Sequence, residues 1–233
     1  MTGDRKELTR LLGGQFLFEL LSHAELDRLL TFARIAHFSA GSTIFAQASP
    51  GDSLISVLEG EVHISAPSAE GREVIFAVVE AGQTFGEVAL LDGKERTADA
   101  IAHTDCKLLI IDRRDFVPFL NDHPQIALRL LPILCEQIRR MSEHVQDALF
   151  LAQPARLAKK LLSLAATRGQ TSPQGTRLHL HLSQRELGNF LGMPRETVNR
   201  QLRSWHADAV IVLEGDVITL KDEAALRRIA GLP

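Results

Sequence analysis

The stretch "FGEVALLDGKERTADA", residues 85–100, reads as the end of one strand and the start of another, yet Gly86, Glu87 and Arg96 interrupt its apolar pattern. Those residue types can serve a small cyclic phosphodiester. Gly86 permits close backbone approach, and a short helical turn begun by Gly86, Glu87 and Val88 aims free N–H groups at an anion. Arg96 offers a planar fork for a phosphate, Thr97 adds a hydroxyl beside it, and Glu87 can accept from a ribose hydroxyl. Taken alone, the same residues are read by default as a plain ion pair of Arg96 with Glu87, or with Glu95 in a surface turn.

Outward from this stretch, residues 34–112 carry short apolar segments, "STIFAQ", "SLISVLEGEVHIS", "EVIFAVVEAG", "TADAIAHT" and "KLLIID". The turns "SPGD", "AEGRE" and "LDGKE" separate them, a spacing that predicts an antiparallel sandwich or roll. Before it, helical spacing runs through Leu8, Leu11 and Leu12 and then from Phe16 to Leu21. Ser22 followed by Glu25 predicts a capping box for a helix through Leu29 and Leu30.

A long helix is expected from Pro124 to Phe150. Leu131, Leu134, Ile138, Met141, Val145 and Ala148 recur in alternating steps of three and four, the seam of a coiled coil. Packing on its own domain is the other use of such a face. Pro132 removes one helical hydrogen bond and is expected to kink or restart the helix.

The remaining chain alternates helix and strand. "PARLAKKLLSLAATRG" is a helix with Pro154 near its start, "RLHLHL" alternates as a strand, and "VIVLEGDVITL" is a hairpin around Glu214, Gly215 and Asp216. Between them, "LSQRELGNFLGMPRETVNRQLRSW" reads as two helices joined by a tight turn at Gly192, with a Ser183/Glu186 capping box. Leu187, Phe190, Leu191, Val198, Leu202 and Trp205 supply the buried faces, and Arg195, Glu196, Asn199 and Arg200 are left outward. Arginine can bond both acceptors of guanine, Glu accepts from the cytosine amino group, and Ser or Thr bonds phosphate. A solvated, salt-paired helix end is the alternative use of those charges.

Charge agrees with a nucleic-acid partner for this part only. The net charge of −3 conceals 12 Lys and Arg against 7 Asp and Glu from Gln153 onward, a local surplus of +5, with −8 in the part before it. The two cysteines, Cys106 and Cys135, form no CxxC pair, and no apolar run approaches the roughly 18 residues that span a bilayer. A cytoplasmic protein is expected, with no membrane association and no metal. Of nine histidines, His179, His181 and His103 attract notice, but isolated histidines on short strands are read as structural or exposed. No G-x-S-x-G, P-loop or metalloprotease motif is present, and an enzyme is not expected.

"FGEVALLDGKERTADA" resembles the phosphate-binding cassette of cyclic-nucleotide-binding domains, and "RETVNR" is similar to the recognition helix of the Crp-Fnr regulators. The resemblance covers nearly the whole chain. It implies an α+β architecture: a cyclic-nucleotide-binding, jelly-roll-like β-roll with N-terminal helices over 1–123, a dimerisation helix and hinge over 124–152, and a winged helix-turn-helix over 153–233. It further implies a homodimeric transcription regulator, controlled by cyclic AMP, that reads a palindromic TGTGA-like site in double-stranded DNA and works with RNA polymerase. By the same resemblance Gly86, Glu87, Val88, Arg96 and Thr97 hold the ligand. Arg195, Glu196 and Arg200 read bases, and Thr197 holds a phosphate, with Ser183 and Gln184 also at the DNA; Asn199 departs from the Gly of the best-known members.

The base end of the ligand departs as well. Neighbouring Thr and Ser residues contact adenine in the family, and an ungapped placement puts Met141 and Ser142 there. Met141 has no donor, whereas Thr97 can bond the amino group of a syn guanine, which keeps cyclic GMP as an alternative ligand. A haem-dependent or ligand-independent relative is a further alternative. So are a nucleotide-binding regulatory subunit and an enzyme without DNA binding, both from a different class.

Overall fold

The computed structural model describes residues 18–19, 21–67, 73–179 and 183–232. The helix expected around Leu8 to Leu12 and the strand position of His181 lie outside these residues. The chain divides into two compact units, Met1–Pro67 with Ile75–Arg139, and Ser68–Val74 with Arg140–Pro233.

In the first unit, helix α1 (His23–Leu29) opens with the expected capping box: Ser22 Oγ accepts from the Glu25 N–H, and the Glu25 carboxylate accepts from the Ser22 N–H. Strands β1 (Ala33–Phe38), β2 (Thr43–Phe45), β3 (Ser53–Glu59), β4 (Glu61–Pro67), β5 (Glu73–Glu80) and β6 (Thr84–Phe85) follow. Helix α2 (Glu87–Asp92), strands β7 (Asp99–Ala102) and β8 (Cys106–Asp112), and helices α3 (Arg113–Asp122) and α4 (Pro124–Phe150) complete the run, α4 passing into the second unit at Arg140. Two four-stranded sheets result, ordered β1-β8-β3-β6 and β2-β7-β4-β5.

The apolar run of β8 is buried on both faces, which explains why it does not alternate. Leu108 and Ile110 join Ile55, Val57, Val62, Ala100 and Ala102 in one cluster, while Leu109 and Ile111 pack with Leu29, Phe116, Ile126 and Leu130 in another. The segment "SLISVLEGEVHIS", which reads as continuous, is broken at Gly60, where β3 leaves one sheet and β4 enters the other. Gly60 has φ +92°, and a Cβ there would stand 2.4 Å from the Asp105 carbonyl oxygen, so the crossover requires glycine.

Helix α4 runs through Pro132 as one helix without restarting. Pro132 and Leu128, whose carbonyl loses its partner, are both exposed, so that carbonyl can turn to water. Ile126 and Leu130 meanwhile anchor the preceding turns in the core. Of the seam positions on this helix, Leu131, Ile138, Met141 and Val145 are 54%, 63%, 64% and 57% exposed; Leu134 is half-buried and Ala148 is exposed.

The second unit contains α5 (Gln153–Arg168), β9 (Gln170–Ser172), β10 (Gly175–His179), α6 (Gln184–Leu191), α7 (Arg195–Ala207), β11 (Ile211–Glu214), β12 (Val217–Leu220) and α8 (Glu223–Ala230). Its sheet is ordered β11-β12-β10-β9, and β11 and β12 close a hairpin in which Glu214 faces Val217 across Gly215 and Asp216. Leu157, Leu161, Leu187, Val198, Leu202, Trp205 and Leu226 form its core. The fold is a two-sheet β-roll, a long helix, and a helix-turn-helix followed by a β-hairpin wing. Among the described residues, no helix is long and apolar enough to cross a membrane.

Candidate ligand and nucleic-acid sites

In the first unit, the loop between β6 and β7 gathers Gly86, Glu87, Val88, Arg96 and Thr97. Arg96 and Glu87 are each only 4% exposed. They do not pair with each other. Arg96 Nη1 donates to the Gly86 carbonyl at 2.9 Å, and Nη2 donates to the Ser53 carbonyl at 2.9 Å and to Ser53 Oγ at 2.8 Å. Its guanidinium lies 4.2 Å from the centre of the Phe45 ring, a cation–π contact. The buried Nε has no hydrogen-bond partner among the described residues. Burial lowers the Arg96 pKa from its ordinary value, while the charges of Asp52 and Glu87 oppose that shift.

Gly86 begins α2 with φ +85° and no side-chain cap. A Cβ there would stand 2.7 Å from Arg96 Nη1 and 3.0 Å from the Ser53 carbonyl oxygen, so glycine is what lets the arginine reach this place. The turn "SPGD" does more than reverse the chain. Gly51 lies under α2 so closely that a Cβ would come within 2.1 Å of Ala89 Cβ. Glu87 Oε1 accepts from Gln137 Nε2 of α4 at 2.7 Å, tying the loop to the long helix. Val88 and Thr97 are exposed at the edge of this group. Met141 and Ser142 are exposed on α4, in the portion assigned to the second unit.

Ser53, Phe45 and Gln137 were not singled out from sequence. Each comes from a separate element, so only the roll's closure brings it to the loop.

In the second unit, α6 begins with the Ser183/Glu186 capping box and ends at Gly192, whose φ of +59° makes the turn. Pro194 then caps α7. Gly188 sets the approach of the two helices, since a Cβ there would lie 2.6 Å from the Met193 carbonyl oxygen; sequence reading passed over it. Val198, Leu202 and Trp205 are buried at helical spacing, which turns the opposite face outward. Arg195, Glu196, Asn199 and Arg200 line one shallow groove together with Arg203, a fifth polar residue not foreseen. Thr197 is half-buried at the first turn. Asn199 Nδ2 donates to Gln184 Oε1 at 2.6 Å, joining the two helices through polar side chains.

Two family descriptions match these two parts: "Cyclic nucleotide-binding domain" over residues 35–123 and "Crp-like helix-turn-helix domain" over residues 155–229. A "CRP-like cAMP-activated global transcriptional regulator" of Mycobacterium tuberculosis is 33% identical over 191 residues, 82% of this chain and 85% of that protein. The chain belongs to the Crp-Fnr family. The "Cyclic AMP receptor protein" of Thermus thermophilus is 30% identical over 217 residues, covering 93% of this chain and 97% of that one. A solved structure of a c-di-GMP responsive global regulator of Xanthomonas campestris has a TM-score of 0.76 at 23% identity, over 85% of this chain and 99% of that chain, a likeness of fold. Members of the family are transcription regulators and not enzymes, and this chain is a cyclic-nucleotide-responsive, DNA-binding regulator.

Proposed function

We propose that this regulator is a homodimer, partitioned as 1–123, 124–152 and 153–233, that binds cyclic AMP at the β6–β7 loop and in response reads a palindromic TGTGA-like site. The observation that carries the ligand reading is the burial of Arg96 and Glu87 beside each other without an ion pair between them. Opposite charges held apart in a roll are costly for stability and suited to a ligand that meets both. The cyclic phosphate would take the guanidinium, Thr97 and the free N–H groups of Gly86, Glu87 and Val88, and the ribose 2′-hydroxyl would donate to Glu87. The names of the curated relatives support cyclic AMP as the nucleotide.

Because Glu87 already accepts from Gln137, a ribose at Glu87 acts directly on α4. The exposed row Leu131, Ile138, Met141 and Val145, with Leu134 and Ala148, would close against the same row of a second copy. A ligand that binds one arrangement of the helices more tightly shifts the population toward it, and only that difference in affinity does so. In DNA, the dimer would set two α7 helices in successive major grooves about 34 Å apart. Arg195, Glu196 and Arg200 would meet base edges, and Thr197, Ser183 and Gln184 the backbone. Because Asn199 is held by Gln184, the two would act as one unit at the groove. RNA polymerase would be the further partner, in the cytoplasm.

A second nucleotide is favoured by a specific feature. Met141 offers no donor to adenine, and the Thr97 hydroxyl is exposed beside Arg96, where a syn guanine amino group would reach it. Base recognition would then rest on Ser142 or Thr97. Calorimetric titration of Arg96→Ala with each nucleotide tests the pocket: loss of at least about 1.5–3 kcal/mol of affinity is expected for a removed charged hydrogen-bonding group. Unchanged affinity in a folded variant would remove the assignment.

A further inference from the structure

The register of β4 against β7 assembles a group of side chains that the ligand and DNA sites do not use. Val62 faces Ala102 and His63 faces Ile101, which places Glu61 opposite His103 at the end of the ladder. The backbone agrees, the His103 N–H donating to the Glu61 carbonyl at 2.8 Å. Glu61 and His63 are two apart on one strand and share a face, and opposed residues bring their Cβ atoms within about 5 Å. One sheet face therefore presents a carboxylate and two imidazoles side by side.

Their potential ligand atoms all lie within 4.8 Å of one another. Glu61 Oε1 is 3.1 Å from His63 Nε2. The rings of His63 and His103 are stacked, with centroids 4.1 Å apart and planes 11° apart. Each imidazole lone pair lies in its ring plane, so the stacked rings must splay at their common edge for one cation to meet both. His63 is 5% exposed and Ser65, next on the same face, 1%, so this face is screened from water although it points away from the inter-sheet core. The buried Cys106 thiol nearby is not a fourth ligand: burial raises its pKa, and Sγ already donates to the Glu61 and Thr104 carbonyls.

We propose that Glu61, His63 and His103 form a three-ligand site for a divalent transition cation of the zinc class. Two neutral imidazoles and a carboxylate, with water in the fourth position, are a donor set that zinc accepts. Zinc–nitrogen and zinc–oxygen bonds of about 2.0–2.2 Å require the ligand atoms to draw together by roughly 1 Å, within reach of side-chain rotation at half-buried His103 and Glu61. A bound cation would fasten β4 to the strand that leaves the nucleotide loop at Asp99.

The test is titration of the chelator-treated full chain with Zn2+ in competition with a coloured chelator, repeated with His103→Gln, Glu61→Gln and, as a control, exposed His179→Gln. One equivalent per chain is expected in the wild type. Binding should be at least about tenfold weaker in each of the first two variants, the loss that even indirect ligand partners cause, and unchanged in the control. Histidine ring resonances of the wild type provide a readout free of folding effects, and those of His63 and His103 should shift together on adding Zn2+. Absence of stoichiometric binding, equal affinity in all variants, or ring shifts confined to other histidines would overturn the site.

Discussion

Arg96 is a cation whose hydrogen-bond partners in the protein are all neutral. Two carbonyls and one hydroxyl accept from its two terminal nitrogens, Phe45 covers its face, and Asp52 and Glu87 act on it through space without an ion pair. Such a group is prepared for an anion, and its position depends on the absence of a side chain at Gly86. Gly86→Ala should destabilise the roll by about 1–2 kcal/mol through the left-handed backbone alone. It should also weaken nucleotide binding by displacing the guanidinium, as a melting curve and a calorimetric titration would show. In the second unit, Arg195 is exposed at the first residue of α7, in the groove shared with Glu196, Asn199, Arg200 and Arg203. Arg195→Ala should relax base preference at one position by roughly 1–3 kcal/mol, measured by selection from randomised sites. Identical preferences would count against the docking.

Among the elements, those with a short-range signal were legible and those that depend on closure were not. The capping boxes at Ser22 and Ser183, the turn at Gly192 and the extent of α4 follow from local chemistry and were read from the residues. Helix α3 was not, because Pro118 interrupts its pattern, and α8 was not, because its apolar face is only eight residues long. The partners of Arg96 and Glu87 were invisible for a different reason: Ser53, Phe45 and Gln137 lie on a strand start, a short strand and a distant helix. Strand register, which also sets His103 beside Glu61, is a property of the paired sheet. On α4, large apolar side chains at the expected coiled-coil seam are exposed in the single chain, and we propose that a second copy covers them. Val145→Asp should therefore convert dimer to monomer in sedimentation velocity, since a buried unpaired carboxylate is costly.

For the molecule as a whole, the two halves have opposite charge, −8 before Gln153 and +5 from there on, which suits an acidic sensing part and a basic reading part. We propose that the hydrogen bond from Gln137 to Glu87 is the first step of a coupling between them, because the residue proposed to meet the ribose already bonds to the long helix. Coupling of this kind is reciprocal: a nucleotide that raises DNA affinity must itself bind more tightly to the DNA-bound protein. The most direct measurement is binding of the full chain to a TGTGA-type palindrome at fixed salt, titrated separately with cyclic AMP and cyclic GMP. Affinity for the palindrome should rise by roughly 5–150-fold with cyclic AMP, the range of a coupling of 1–3 kcal/mol, and should not rise for a scrambled site. Palindrome binding that neither nucleotide changes would contradict nucleotide control of DNA reading.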